Sequence, residues 1–283
     1  MGLVGWISVR KGHAPLRDIV EQIHRISASQ LNSRLSPDNV PVELTDLAVS
    51  FNDMLQRVEE SFLRLSNFSA DIAHELRTPM TNLLTQTQVA LSQNRSSEEY
   101  REVLYSSIEE YERITQMISD MLFLAKADNG LFHLNNVTIN LETEINQLFE
   151  FYEAWAEEHG VALTLEGSAS VSGDQPMLRR ALSNLVSNAI RHTPRGNTVK
   201  ITLEHNAEKS IVITVDNPGI SIPPEHLSKV FDRFYRVDAS RQREGEGAGL
   251  GLAITKSIIE IHRGTVTSLP KDDGARFQVI LPG

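Results

Sequence analysis

The chain contains no cysteine, so neither a disulfide framework nor a thiolate metal centre is open to it. Its nine histidines are scattered, with no pair at zinc-ligand spacing. It has no basic cluster and a net charge of −10, which argues against nucleic acid as a partner. No apolar run approaches the roughly 20 residues that a bilayer-spanning helix needs. Leu3 to Val9 is apolar but short, and Arg10 and Lys11 follow it. Charges after the apolar stretch are in the wrong order for a signal peptide. Trp6 and then Arg10-Lys11 fit the cytoplasmic end of a truncated membrane helix; a frayed terminus is the other reading.

What is present is the make-up of a soluble globular protein, 40% hydrophobic and 23% charged over 283 residues, long enough for about two domains. Residues 11–62 suggest two helices around a connector broken at Pro37 and Pro41. The first carries Leu16, Ile19, Ile23 and Ile26. The second carries Leu44, Leu47, Phe51, Met54 and Val58 at the alternating spacing of a coiled-coil seam. Successive four-residue steps from Met54 to Val58 to Phe62 form a stutter, a phase shift between coiled segments. Apolar spacing continues through Leu65, Ile72, Leu76, Leu83 and Leu84 to a polar break at 92–97, where Ser97 is a candidate cap. Leu104, Ile108, Tyr111, Ile114, Ile118, Met121 and Ala125 then mark another helix ending near Asp128-Asn129-Gly130. One such hairpin cannot cover its own seam. Pairing two into a four-helix bundle would, so a homodimer is expected.

Within the first long helix, Ala73-His74-Glu75-Leu76-Arg77-Thr78-Pro79 brings together a small set of phosphoryl-transfer groups. Imidazole is a good nucleophile once its proton is managed, and Glu75 could hold that proton. Thr78 lies four residues beyond His74 and shares its face, so its hydroxyl could place a water. Pro79 removes a helix hydrogen bond just beyond and should bend the helix. An exposed His-Glu pair is also ordinary helix surface, so the motif needs a nucleotide site elsewhere.

After Gly130 the pattern changes. Strands are expected at 137–141, 161–165, 198–204 and 210–216 and near Thr265 and Phe277, with helices through Phe149-Trp155, over 174–192 and over 250–262. This predicts an α+β sandwich. Asn184 and Asn188 are one turn apart, with Arg191 and His192 a turn later; amide oxygens suit Mg²⁺ and the arginine suits phosphates. Asp216-Asn217-Pro218-Gly219 ends a strand, where a carboxylate could accept from the amine of adenine. It could equally be a plain turn. Gly245-Glu246-Gly247-Ala248-Gly249-Leu250-Gly251 leads into a helix N-terminus and forms an anion cradle. It is neither a Rossmann turn nor a Walker loop. Between these pieces Phe231-Asp232-Arg233-Phe234-Tyr235-Arg236, with Arg241 and Arg243, suggests a mobile basic lid.

Taken together these motifs resemble the cytoplasmic part of a bacterial sensor histidine kinase. The resemblance covers essentially the whole chain: a residual membrane-helix end at 1–10, a HAMP linker at 11–62, a dimerisation and histidine-phosphotransfer hairpin at 63–130, and a GHKL (Bergerat) ATP-binding domain at 131–283. It implies an inner-membrane protein anchored through segments outside this sequence. The fold expected is a multidomain one, an all-α coiled-coil and four-helix-bundle region followed by the α+β sandwich. By similarity His74 is the phosphoacceptor, Glu75 its acid/base partner and Thr78 the phosphatase residue. ATP and Mg²⁺ are implied, with Asn188 and then Asn184 as metal ligands and Arg191 and His192 completing that box. Asp216 and Gly219 stand at the adenine turn, and Phe231, Phe234 and Arg241 belong to the lid. Gly247, Gly249, Leu250 and Gly251 form the phosphate loop, and Gly274-Ala275-Arg276-Phe277 resembles the last box. The family's adenine turn is Asp-x-Gly-x-Gly, whereas here a single glycine stands in a shifted register. That turn, the 67–74 segment and the 241–247 lid resemble the copper/silver-responsive branch. A response regulator is the implied partner. A GHKL ATPase of chaperone or topoisomerase type would leave 73–79 idle, and a coiled-coil adaptor would use the helices alone.

Overall fold

The computed structural model describes residues 33–35, 44–207, 209–237 and 248–283. The expected N-terminal helix and residues 1–10 lie outside the described residues, as do lid residues 241–247. The chain divides into two compact units, Met1–Thr81 and Asn82–Gly283.

Most of the described part of the first unit belongs to α1 (Thr45–Leu91), a helix of 47 residues that begins there and ends in the second unit. Leu35 and Ala48 are buried against each other, with Leu44 and Phe51 packed around them. Asn52 clamps the Leu35 backbone from both sides, Oδ1 accepting from its N–H at 2.9 Å and Nδ2 donating to its carbonyl at 3.0 Å. Leu47, Met54 and Val58 of the expected seam are exposed. The helix is unbroken through Pro79, whose missing N–H leaves the Glu75 carbonyl without its helix donor.

In the second unit α2 (Ser97–Asp128) starts one residue earlier than a Ser97 cap would place it. Ser96 is the N-cap and closes a capping box with Glu99, which donates its N–H to the serine hydroxyl and accepts from the Ser96 N–H. These hydrogen bonds hold the Glu99 carboxyl below its ordinary value. The helix has two apolar seams. Met117, Met121 and Leu124 are buried, whereas Leu104, Ile108, Tyr111, Ile118 and Leu122 are exposed at helical steps of three, four or seven residues.

Then follow β1 (Asn136–Asn140), α3 (Leu141–His159), β2 (Ala162–Glu166), β3 (Ser170–Asp174), α4 (Gln175–His192), β4 (Thr198–His205), β5 (Ile211–Pro218), α5 (Pro224–Leu227), α6 (Gly251–Ile261), β6 (Thr265–Leu269) and β7 (Gly274–Leu281). The main sheet has the order β2-β4-β5-β7-β6, parallel only at β2–β4. β1 and β3 form a separate antiparallel pair. The strands alternate buried and half-buried residues, so one face of the sheet meets the helices. Val199, Ile201, Ile213, Val215, Phe277 and Val279 supply that face, and Leu178, Leu185, Ile254 and Ile258 supply the helix side. This helix layer on a mixed sheet is the α+β sandwich expected. Unanticipated was β3, whose Ser-Val-Ser-Gly-Asp sequence holds a single apolar residue.

Candidate functional site

Two helices carry five of the nucleotide-site candidates, Asn184, Asn188, Arg191 and His192 on α4 and Gly251 on α6, and a buried histidine fixes one helix to the other. Asp174 caps α4, accepting from the Met177 N–H at 3.2 Å. Its own N–H donates to His262 Nε2 at 2.9 Å, beyond the end of α6. That makes Nε2 the acceptor, so Nδ1 donates to the Ile258 carbonyl at 2.8 Å. Gly173 permits this approach, since a Cβ there would stand 2.7–2.8 Å from Leu178 and His262.

α4 buries Leu178, Ala181, Leu182, Leu185, Val186, Ala189 and Ile190, which leaves Asn184 and Asn188 half-buried on its flank. Asn184 Nδ2 donates to the Gly251 carbonyl at 3.0 Å, and Thr255 Oγ1 donates to the same carbonyl at 2.9 Å. The amide nitrogen of Asn184 is thus committed to the first turn of α6, and its oxygen remains to face a ligand. Asn188 has no side-chain partner among the described residues. The Asn184 oxygen at the start of α6, with Asn188 one turn further along α4, suits a hard divalent cation shared with phosphate oxygens.

The phosphate loop is tied to the start of the lid. Phe234 donates its N–H to the Gly249 carbonyl at 3.1 Å. Both residues have positive φ, 59° and 70°. A Cβ on Gly249 would meet Phe234 and Tyr235 backbone atoms at 3.0–3.2 Å, so glycine is required. Leu250 is buried, and Gly251 opens α6. Phe231 is committed to the core, edge-on to Phe277 at 6.1 Å, while Phe234 is half-buried. Arg241 and Gly247 lie outside the described residues.

Arg191 and His192 end α4. Both keep exposed area, yet neighbouring protein strips part of their water. This desolvation, followed by the charge of Arg236, holds Arg191 below its ordinary value. His192 is lowered by desolvation and then by Arg191 and Arg236. No carboxylate pairs with either among the described residues, so the helix end is a cation-rich place that a polyphosphate would relieve.

At the adenine turn the structure places Asp216 differently from the expectation. On β5 Val215 and Asn217 are buried and Asp216 is half-buried, so Asp216 lies on the sheet face away from the helices. Its carboxylate accepts from Arg276 Nε at 2.7 Å and Nη2 at 3.1 Å, with Lys271 at 3.4 Å. These bonds, first hydrogen bonding and then charge, hold Arg276 above its ordinary value. The residue facing the helices is Asn217, 2% exposed, with Oδ1 buried and without a partner among the described residues. Strand alternation from Ile211, Ile213 and Val215 was the signal for it, and it was overridden by the preference for a carboxylate. Gly219 stands where expected: with φ 141°, its missing Cβ would be 2.7 Å from the His192 carbonyl.

Within the second unit, ion pairs with no local signal in the sequence hold α2 to α4 and to the segment after α5. Arg233, at the lid's start, donates to both Asp128 oxygens at 2.5 and 2.7 Å. Arg180 on α4 pairs with Asp120 at 2.5 Å and stacks 4.6 Å from the Phe123 ring centroid.

In the first unit His74 and Thr78 are exposed on α1 and Glu75 is half-buried, which leaves the imidazole open to approach. Thr81 and Thr87 bond back to the helix backbone. The Thr78 hydroxyl has no partner among the described residues.

Three family profiles match the chain in order. They are the HAMP domain over residues 7–60, the His Kinase A (phospho-acceptor) domain over 64–130, and the histidine kinase-, DNA gyrase B-, and HSP90-like ATPase over 173–283. Sensor histidine kinase CusS of Escherichia coli strain K12 is 52% identical over 277 residues, covering 98% of this chain and 58% of its own. The probable sensor kinase SilS of Salmonella typhimurium is 48% identical over 281 residues, with 98% and 56% covered. The chain thus spans a little over half the length of the curated relatives it matches. Acinetobacter baumannii histidine kinase AdeS shares the fold at TM-score 0.62 and 22% identity, covering 74% of this chain and 97% of that one. Histidine kinase ThkA in complex with response regulator protein TrrA does so at 0.65 and 23%, covering 79% and 63%. With an exposed histidine on a matched phospho-acceptor segment and a glycine-rich turn opening a helix on a matched ATPase segment, the chain belongs to the sensor histidine kinases.

Proposed function

We propose that this chain is the cytoplasmic kinase portion of a copper/silver-responsive sensor. It uses Mg-ATP to phosphorylate His74 and passes the phosphoryl group to an aspartate of a response regulator. A neutral imidazole nitrogen forms the P–N bond as the bond from the γ-phosphorus to the ADP oxygen breaks. Glu75 holds or takes the displaced imidazole proton. Asn188 and Asn184 would hold Mg²⁺, whose charge offsets that of the phosphates, while Arg191 and the α6 N-terminus bind their oxygens. Thr78 orients the water that removes phosphate from the regulator. The domain limits proposed are 11–62, 63–130 and 131–283.

One observation carries the kinase reading. An exposed His74 beside Glu75, and a glycine turn into α6 held by Asn184 with its amide oxygen unspent, occur in the same chain. An ATPase alone has no use for the first, and an adaptor has none for the second. The exposed seams on α1 and α2 support a homodimer. The HAMP match supports attachment to the inner membrane through segments outside this sequence. The likeness to CusS and SilS supports the metal response. Incubation with γ-labelled ATP separates the readings. Acid-labile label retained on the protein supports the kinase, free phosphate without label supports an ATPase, and neither supports an adaptor.

A further inference from the structure

Asn217 is a polar residue in an apolar wall. Its side chain lies on the helix-facing side of β5, between the buried Val215 and the turn at Gly219. The amide oxygen is fully buried and has no partner among the described residues. Buried oxygens are nearly always paired, so one left open in the fold points to a ligand. The residue directly across on β7 is Ala275, which has no side-chain donor. The glycine before it is closed to substitution, because a Cβ on Gly274 would fall 2.0 Å from the Asn217 carbonyl. Nothing in the neighbouring strand meets the amide, and it borders the unit's nucleotide-binding candidates.

An amide reads a purine differently from a carboxylate. A carboxylate only accepts, whereas an amide accepts on one side and donates on the other, and a half-turn about its last bond exchanges the two. A 6-aminopurine presents a donor at N6 and an acceptor at N1. A 6-oxopurine presents the reverse, an acceptor at O6 and a donor at N1. We propose that Asn217 contacts this edge of the base and, by rotating its amide, admits 6-oxopurine nucleotides as well as adenine nucleotides. The inference rests on the nucleotide-site reading given above and adds to it the base selectivity of that site.

The test uses diphosphates, which carry the base but cannot phosphorylate the protein. ADP and IDP, with Mg²⁺, are titrated into the full chain by calorimetry. The wild-type affinities should lie within about 10-fold of each other, because each base finds a complementary edge. Asn217→Asp, which sets a carboxylate against O6, should widen the preference for ADP by about 10- to 100-fold, the scale of one paired-edge contact. Asn217→Ala should weaken both ligands together by about 5- to 10-fold, the loss of an ordinary hydrogen bond. Rejection of IDP by wild type beyond about 100-fold, an unchanged ratio in folded Asn217→Asp, or wild-type ADP affinity in Asn217→Ala would each overturn the proposal. Should Asn217→Asp fail to fold, the wild-type ratio and Asn217→Ala decide. Absence of ADP binding by wild type would overturn the nucleotide reading itself, and this inference with it.

Discussion

Replacing Asp216 with asparagine separates the two faces of β5. The substitution keeps the side chain's shape and removes its charge. On the exposed side of the sheet it weakens the paired contacts from Arg276 at 2.7 and 3.1 Å and the longer one from Lys271 at 3.4 Å. Arg276 keeps 43% of its side-chain area exposed against 17% for Asp216, so solvent screens the pair and the surface range applies. The bidentate geometry puts it at the upper end, about 1 kcal/mol. For a domain of this size that corresponds to a fall in Tm of about 2–5 °C. ADP affinity should stay within about 2-fold of wild type, because a change outside the binding face rarely exceeds that. Thermal unfolding and calorimetric titration on one preparation measure both quantities. A folded Asp216→Asn protein that has lost about 10-fold or more in ADP affinity, or 1.4 kcal/mol in binding on the usual conversion, would refute the assignment of faces.

Asn188→Ala should abolish the gain in ADP affinity that Mg²⁺ confers while sparing metal-free binding, as titrations with Mg²⁺ and with chelator would report. His192 is held below its ordinary value by desolvation and neighbouring cations, so the fold favours the neutral ring. As pH falls through about 6.5 the unfolded chain takes up that proton first, so stability declines below this value and is unaffected well above it. His192→Gln should therefore lose less stability on acidification than wild type in denaturant titrations, and parallel losses would refute the linkage. Thr78→Ala should leave self-phosphorylation within a few-fold but slow dephosphorylation of the phospho-regulator by about 10²-fold, the scale of a lost positioned group. Equal slowing of both would assign Thr78 a structural role.

Much of the architecture was legible because local signals agreed with the tertiary ones. Asp174 before Gln175-Pro176 marks a capped helix, and Ile211, Ile213 and Val215 alternate as a strand with one covered face. Periodicity was silent on what covers a seam. Leu104, Ile108, Tyr111 and Ile118 repeat as Met117, Met121 and Leu124 do, yet the first set is exposed and the second buried. Of the candidate site, the shared flank of Asn184 and Asn188 and the turn at Gly249 follow from spacing and residue type. At the adenine turn residue type favours the carboxylate of Asp216, whereas strand parity puts Asn217 on the helix-facing side. The His262–Asp174 bond and the pairs from α2 to Arg180 and Arg233 join residues far apart in sequence. No local pattern encodes such contacts, since they exist only once the elements have packed.

In the proposed reaction, ATP bound in the second unit delivers its phosphoryl group to His74. Phosphorus NMR of the chain after incubation with Mg-ATP, combined with the same spectrum for His74→Gln, tests this delivery. A phosphoramidate signal is expected that assigns to the His74 imidazole and is absent from His74→Gln, with ADP affinity and oligomeric state unchanged in that variant. A phosphoramidate signal that persists in His74→Gln, or phosphate found only as an ester on serine or threonine, would contradict it.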